Sequence, residues 1–202
     1  MYIPIIGYLL YFSYTHFNLP ILTVAGIFFA GIFFWSFFEY IMHRWIFHFA
    51  SENEKVKRVV YVMHGNHHEY PRDKERLFMP PVPSIIIASI LFAIFYFIGF
   101  LAGARFLAFS FFPGFMLGYL IYGSMHYAIH AWNPPFKWMK PLWRNHHLHH
   151  YKNVELGFGV SSTLWDHIFG TMFDLNKEKE DKEKVKELMF GNAAAEKQLQ
   201  SR

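Results

Sequence analysis

VPSIIIASILFAIFYFIGFLAGARFLAFSFFPGFMLGYLIYGSMHYAIH, residues 82–130, carries a single formal charge, Arg105. A bilayer hydrocarbon core about 30 Å thick takes roughly 20 apolar residues of helix. Residues 82–104 and 106–125 each reach that length without a charge. Pro113-Gly114 marks a kink in the second run. Gly103, Ala104 and Arg105 or their near neighbours are all that join the two runs, which leaves room for a hairpin and nothing more. A hairpin returns the chain to the side it left, so whatever precedes residue 82 and follows residue 125 shares one side of the membrane.

Two more runs lie upstream. Residues 19–38 contain no Asp, Glu, Lys or Arg, and neither do residues 2–17, although that first run is short. Asn18 and Pro20 separate them like a tight turn. The first run has no basic start and no small-residue cleavage site, so it is read as a short or partly buried span and not as a signal peptide. Between and after the runs the character changes. Residues 39–81 carry seven basic and six acidic side chains, and residues 137–202 carry eleven and nine. The concentration of Lys and Arg in these two blocks places both in the cytoplasm by the positive-inside rule. The expected organisation is a membrane domain over 1–171, with a His-rich cap from 39–81 and 126–171, followed by a charged tail over 172–202. The mixed-charge run at 176–187 reads as a solvated helix or a frayed tail and carries no chemistry.

Composition excludes several classes. Of 202 residues, 53 % are hydrophobic, 21 % aromatic and 17 % charged, which is neither a disordered nor a collagen-like chain. The absence of Cys removes disulfides, Fe–S clusters and thiolate metal sites. A formal charge of +4 gives little support to nucleic-acid binding. Buried helices of a soluble protein are the alternative to membrane spans, but three such runs in so short a chain weigh against it.

Thirteen histidines are the outstanding feature. Ten fall in four groups: His43 and His48; His64, His67 and His68; His126 and His130; His146, His149 and His150. Residues at i, i+3 and i+4 share a helix face, so each H-x2-HH group projects together, and so do His126 and His130. His43 and His48 diverge by about 140° on a straight α-helix; they meet at a helix end or on a local distortion, or bind different metals. His147 faces away from its neighbours, and His16 and His167 stand apart. Imidazole suits Fe and Zn. Ten imidazoles are too many for one ion, and about five on each of two leaves a position open, as catalysis requires. All four groups sit at ends of the apolar runs, where one membrane face can collect them.

The spacings H-x4-H, H-x2-HH, H-x3-H and H-x2-HH, with the strings FEYIMHRWIFH (38–48), HGNHHEYP (64–71) and FGVSSTLWDHIFGT (158–171), resemble the membrane fatty acid hydroxylase superfamily, and among it the fatty acid 2-hydroxylases. The resemblance covers most of 19–171. It implies an all-α integral membrane protein, with four transmembrane helices capped by a cytosolic helical domain that holds two iron ions. It also implies O2-dependent hydroxylation of an acyl chain, free or as the N-acyl chain of a ceramide, at C2. The family's metal ligands match His43, His48, His64, His67, His68, His126, His130, His146, His149 and His150. Zinc is an expected substitute for iron in purified protein. Many eukaryotic members begin with a cytochrome b5 domain. This chain starts almost directly with its apolar runs, so the expected electron donor is a separate protein, such as cytochrome b5 or a ferredoxin with its reductase. The expected location is a bacterial inner membrane or the endoplasmic reticulum.

Hydroxylating an unactivated C–H bond needs a metal-bound oxidant, so the protein's task is placement. Carboxylates beyond the imidazoles should balance the ions' charge and orient the rings; Glu39, one turn before His43, and Asp166 are the candidates. Trp132, Trp138 and Trp143 line a lipid tunnel or form an interfacial belt. Two other functions fit less of the pattern: a carotenoid or sterol hydroxylase or desaturase, and a membrane metal-binding protein without redox chemistry.

Overall fold

The computed structural model describes residues 1–180 except 72, 74, 76 and 178. Most of the mixed-charge run at 176–187 therefore lies outside the described residues. The chain divides into two units, Met1–Thr171 and Met172–Arg202; the fold below is that of the first. Its described residues form helices and connecting turns without a strand.

Helices α1 (Tyr2–His16), α2 (Ile21–Ile41), α5 (Pro81–Leu101) and α6 (Phe106–Ala131) make the apolar bundle, and α3 (Glu54–Val60), α4 (Asn66–Glu69), α7 (Lys140–Tyr151) and α8 (Leu164–Phe169) are shorter. Three helices are long and apolar enough to cross a membrane: Ile21–Phe47, Pro81–Leu101 and Phe106–Ala131. The 15 residues of α1 extend only about 22 Å at 1.5 Å per residue, short of the hydrocarbon core. Proline sets the entries: Pro20 precedes α2, and Pro80 and Pro81 start α5, where a missing N–H costs nothing. Asn53 caps α3, its side chain accepting from Lys55 N at 2.9 Å.

Two apolar helices run further than hydropathy alone indicates. The second continues past residue 38 through Ile41 and then as a π-helical segment, Met42–Phe47. The last continues past residue 125 to Ala131, carrying His126 and His130. A polar side chain ends an apolar run but not a helix, provided the side chain faces inward to partners, as these do.

Helix α6 is the hub, running unbroken through the buried Pro113. It lies parallel to α2 at close range. A Cβ on Gly114 would meet the Phe28 carbonyl of α2, with the carbonyl carbon at 2.8 Å and Ile32 N at 3.2 Å. Small residues at such a seam let backbones approach where no hydrophobic effect drives association. Phe115, fully buried, fills the adjacent layer with Trp35, Phe38 and Phe95 at ring separations of 4.8, 5.1 and 5.4 Å. Helix α1 is tied to α6 by the buried Ser13–Ser110 hydroxyl pair at 2.5 Å. Because α2 and α6 are parallel, both deliver their C-terminal histidines to the same end of the bundle.

Candidate metal centre

The structure gathers ten histidines into two groups of five: His43, His48, His64, His68 and His149 in one, and His67, His126, His130, His146 and His150 in the other. Within each group one nitrogen per ring lies within 4.8 Å of every other. The groups share a wall, where the His68 ring stacks on His150 at 4.2 Å.

The division cuts across each H-x2-HH box. His64 and His68 face one focus and His67 the other; His146 and His150 face the second focus and His149 the first. Adjacent helix residues point about 100° apart, so a box at the boundary straddles two foci. The two rings four residues apart serve one focus, and the third serves its neighbour. This replaces the sequence expectation that each triplet projects together.

His43 and His48 meet through a local distortion. The π-helical segment Met42–Phe47 follows α2. Hydrogen bonds from i to i+5 bring residues five apart nearly into register, and the two rings lie 5.1 Å apart. A second π-helical segment, Tyr61–Gly65, carries His64.

Nitrogen spacing tests whether these rings suit a metal. Nε2 pairs lie at 2.9 Å (His64–His68, His67–His126, His130–His146), 3.0 Å (His67–His150) and 3.1 Å (His48–His149, His146–His150). Two nitrogens bound at right angles, each about 2.1 Å from an ion, sit roughly 3.0 Å apart. A neutral imidazole offers one N–H and one lone pair; several converging lone pairs repel unless a cation occupies the focus. His43 makes the point most plainly. Its Nδ1–H donates to the Phe158 carbonyl, which leaves Nε2 as a bare acceptor, buried and unpartnered among the described residues. The donor set fits a pair of metal ions.

Burial keeps the rings neutral, as ligands must be. It pushes His48 and His68 down to about 4 and His149 to about 3, with neighbouring imidazoles adding to the effect on His68 and His149. His64, His67, His146 and His150 are driven well below the usual imidazole range by the same two causes.

Among the described residues neither Glu39 nor Asp166 hydrogen-bonds a histidine ring. Backbone carbonyls hold the rings instead: Phe158 accepts from His43 Nδ1, and Leu156 accepts from His149 Nδ1 at 2.7 Å. The carboxylates hold that backbone. Asp166 accepts from Phe158 N at 2.9 Å, Gly159 N at 2.8 Å, Thr171 Oγ1 at 2.7 Å and Asn145 Nδ2 at 3.3 Å. Glu39 accepts from Ser161 N and Oγ, both at 2.8 Å, from Trp35 Nε1 at 3.1 Å and from Val160 N at 3.3 Å. Burial raises the Asp166 carboxyl, against the pull of its four donors. Sequence reasoning missed the carbonyls of Leu156 and Phe158 because every residue has one; only the quoted FGVSS string pointed to this stretch.

The remaining histidines stay outside both groups. His16 stacks on Phe12 at 4.7 Å within α1, and His167 lies on α8. His147 borders a surface cavity of about 440 Å³ with Trp132, Asn133 and Tyr151. Trp143 is buried, its Nε1–H donating to the Trp132 carbonyl at 2.8 Å, while the side chains of Trp132 and Trp138 are exposed.

A family model described as fatty acid hydroxylase matches residues 28–171. The ceramide very long chain fatty acid hydroxylase SCS7 of Saccharomyces cerevisiae is 40 % identical over 137 residues, 66 % of this chain and 34 % of the relative. The human fatty acid 2-hydroxylase is 33 % identical over 150 residues, 73 % of this chain and 39 % of the relative. The Arabidopsis thaliana dihydroceramide fatty acyl 2-hydroxylase FAH2 is 32 % identical over 134 residues, 66 % of this chain and 55 % of the relative. A solved structure of full-length scs7p, with only the hydroxylase domain visible, superposes with a TM-score of 0.78 at 32 % identity, covering 86 % of this chain and 64 % of that one. The chain thus spans about a third to a half of the length of these curated relatives.

Proposed function

The chain belongs to the fatty acid hydroxylase family, and on that premise we propose that it inserts a hydroxyl group at C2 of a fatty acyl chain, either a free fatty acid or the N-acyl chain of a ceramide-type lipid. The ten histidines His43, His48, His64, His67, His68, His126, His130, His146, His149 and His150 hold two iron ions, with zinc able to replace them in isolated protein. The observation that carries this reading is the pair of five-imidazole groups with nitrogens about 3 Å apart. Bound iron would supply the chemistry of O2 activation, with two electrons from a donor such as cytochrome b5 or a ferredoxin with its reductase. The protein's own residues keep the rings neutral, bury them from water and hold their orientation.

The proposed arrangement is multi-pass. The three apolar helices cross the bilayer, α1 lies against them as a short fourth member, and the histidine groups form a cap at the cytosolic face. The α5–α6 hairpin and the parallel α2 and α6 support it, because they bring residues 42–48, the start of α5 and the end of α6 to one end. Residues 1–171 constitute the hydroxylase domain in this proposal. The host membrane is a bacterial inner membrane or the endoplasmic reticulum.

The test is lipid mass spectrometry of cells expressing the chain together with iron and a donor. Acyl chains one oxygen heavier, with the oxygen at C2, are expected from the wild type and not from His146→Ala. Identical lipid profiles from the two would reject the proposal, and oxygenated carotenoids or sterols in place of acyl chains would reassign the substrate.

A further inference from the structure

The two histidine groups are built alike but are not supported alike. In the first group, His43 and His149 each donate Nδ1–H to a backbone carbonyl of the strap that runs from Leu156 to Ser161. In the second group, Nδ1 of His67, His146 and His150 is buried with no partner among the described residues, and His126 alone has a backbone partner, Leu77, which lies outside the strap. Five consecutive strap N–H groups are taken: Gly157 by the Thr171 carbonyl at 2.8 Å, Phe158 and Gly159 by Asp166, and Val160 and Ser161 by Glu39. Glu39 comes from a membrane helix and Asp166 from α8, so the strap is clamped from both sides. Both carboxylates are buried, and among the described residues neither has a Lys or Arg within ion-pair distance. Carboxylates placed one layer behind neutral imidazoles balance the charge of divalent ions.

We propose that Glu39 and Asp166 are positioning residues that act through this strap: they aim the carbonyls of Leu156 and Phe158 at His149 and His43, and thereby fix Nε2 as the metal-facing atom at one metal position only. The inference rests on the two-metal reading above. It predicts that disturbing the clamp weakens one position and spares the other.

Asp166→Asn is the sharpest variant. Each Asp166 oxygen accepts a strap N–H, so either orientation of the amide sets an NH2 donor against one of them. Glu39→Gln is milder, because Oε1 alone accepts both Val160 N and Ser161 N and an amide oxygen can stay there. Gly159→Ala disturbs the strap without altering either carboxylate, since a Cβ would lie 2.7 Å from Asp166 Oδ2 and closer still to the Ser162 carbonyl. Ser13→Ala weakens the bundle far from the strap and serves as the control for general instability.

The experiment is titration of the full chain, purified in detergent, with Zn(II) against a competing chelator. The wild type should take two ions. Asp166→Asn and Gly159→Ala should weaken one position about 10–100-fold, the range found when groups supporting a ligand are removed, and leave the other within a few-fold. Glu39→Gln should do the same to a smaller extent, and Ser13→Ala should keep both ions. Adding Asp166→Asn to His43→Ala should weaken only the position that His43→Ala already weakens, whereas adding it to His126→Ala should weaken both positions. If Asp166→Asn does not fold, Gly159→Ala and Glu39→Gln decide. A two-ion wild type whose strap variants lose both ions equally, or neither, overturns this inference alone; a wild type that takes no zinc overturns the two-metal reading and this inference with it.

Discussion

Gly114→Ala tests whether the helix seam aligns the histidines. The added Cβ would sit 2.8 Å from the Phe28 carbonyl carbon and 3.2 Å from Ile32 N, with the Phe28 oxygen nearer still. Ordinary contact needs roughly 3.4 Å or more, so α2 and α6 must separate by something on the order of 1 Å. Backbone cannot rotate aside as a side chain can, and overpacking of this kind costs about 1–3 kcal/mol. The displacement is carried along two stiff helices. Position 114 is twelve residues before His126, about 18 Å along the axis, and α2 bears His43 just past its end. Since His43 and His126 belong to different groups, separating the helices shifts one focus against the other. A misplacement of about 1 Å can cost on the order of 100-fold in rate. The assay is C2 hydroxylation per mole of bound iron, read beside the thermal midpoint, with Gly26→Ala as the control because its Cβ would meet nothing within 4 Å. Gly114→Ala should lose most activity while Gly26→Ala keeps it. Full activity and an unchanged midpoint in Gly114→Ala would refute the view that this seam sets the registration of the two groups.

Two further outcomes are expected. His147→Ala should retain both metals and at least half the wild-type rate, in contrast to its neighbour His146→Ala, because His147 belongs to neither group; metal analysis of the two purified variants checks this, and loss of metal in His147→Ala would contradict the assignment. Acidification should destabilise the metal-free chain. An unfolded His takes a proton near 6.5, whereas His48 and His68 are held down to about 4 and His149 to about 3. With folded values depressed, their contribution is complete above about pH 6.5 and is lost as pH falls toward 4. A thermal midpoint measured from pH 8 to pH 4 without metal should decline below 6.5, and a flat profile would count against the neutral buried rings.

The amino-acid sequence by itself determined the materials. Runs of uncharged residues such as 82–104 are legible because spanning length is a local property of the chain. Eight of the ten histidines stand out because they recur at the i, i+3 and i+4 spacings of a helix. The site's inner organisation was not legible in the same way. Which ring of His64, His67 and His68 serves which focus depends on where α7 and α6 bring their own rings, and those contacts join residues far apart in the chain. The meeting of His43 with His48 needed a π-helical segment, a backbone state that residue spacing does not announce. Glu39 and Asp166 stood out as buried charges, but their targets are main-chain N–H groups, which carry no residue signature. Local periodicity picks out the histidines; only long-range packing decides how they are divided between the two groups and what holds them still.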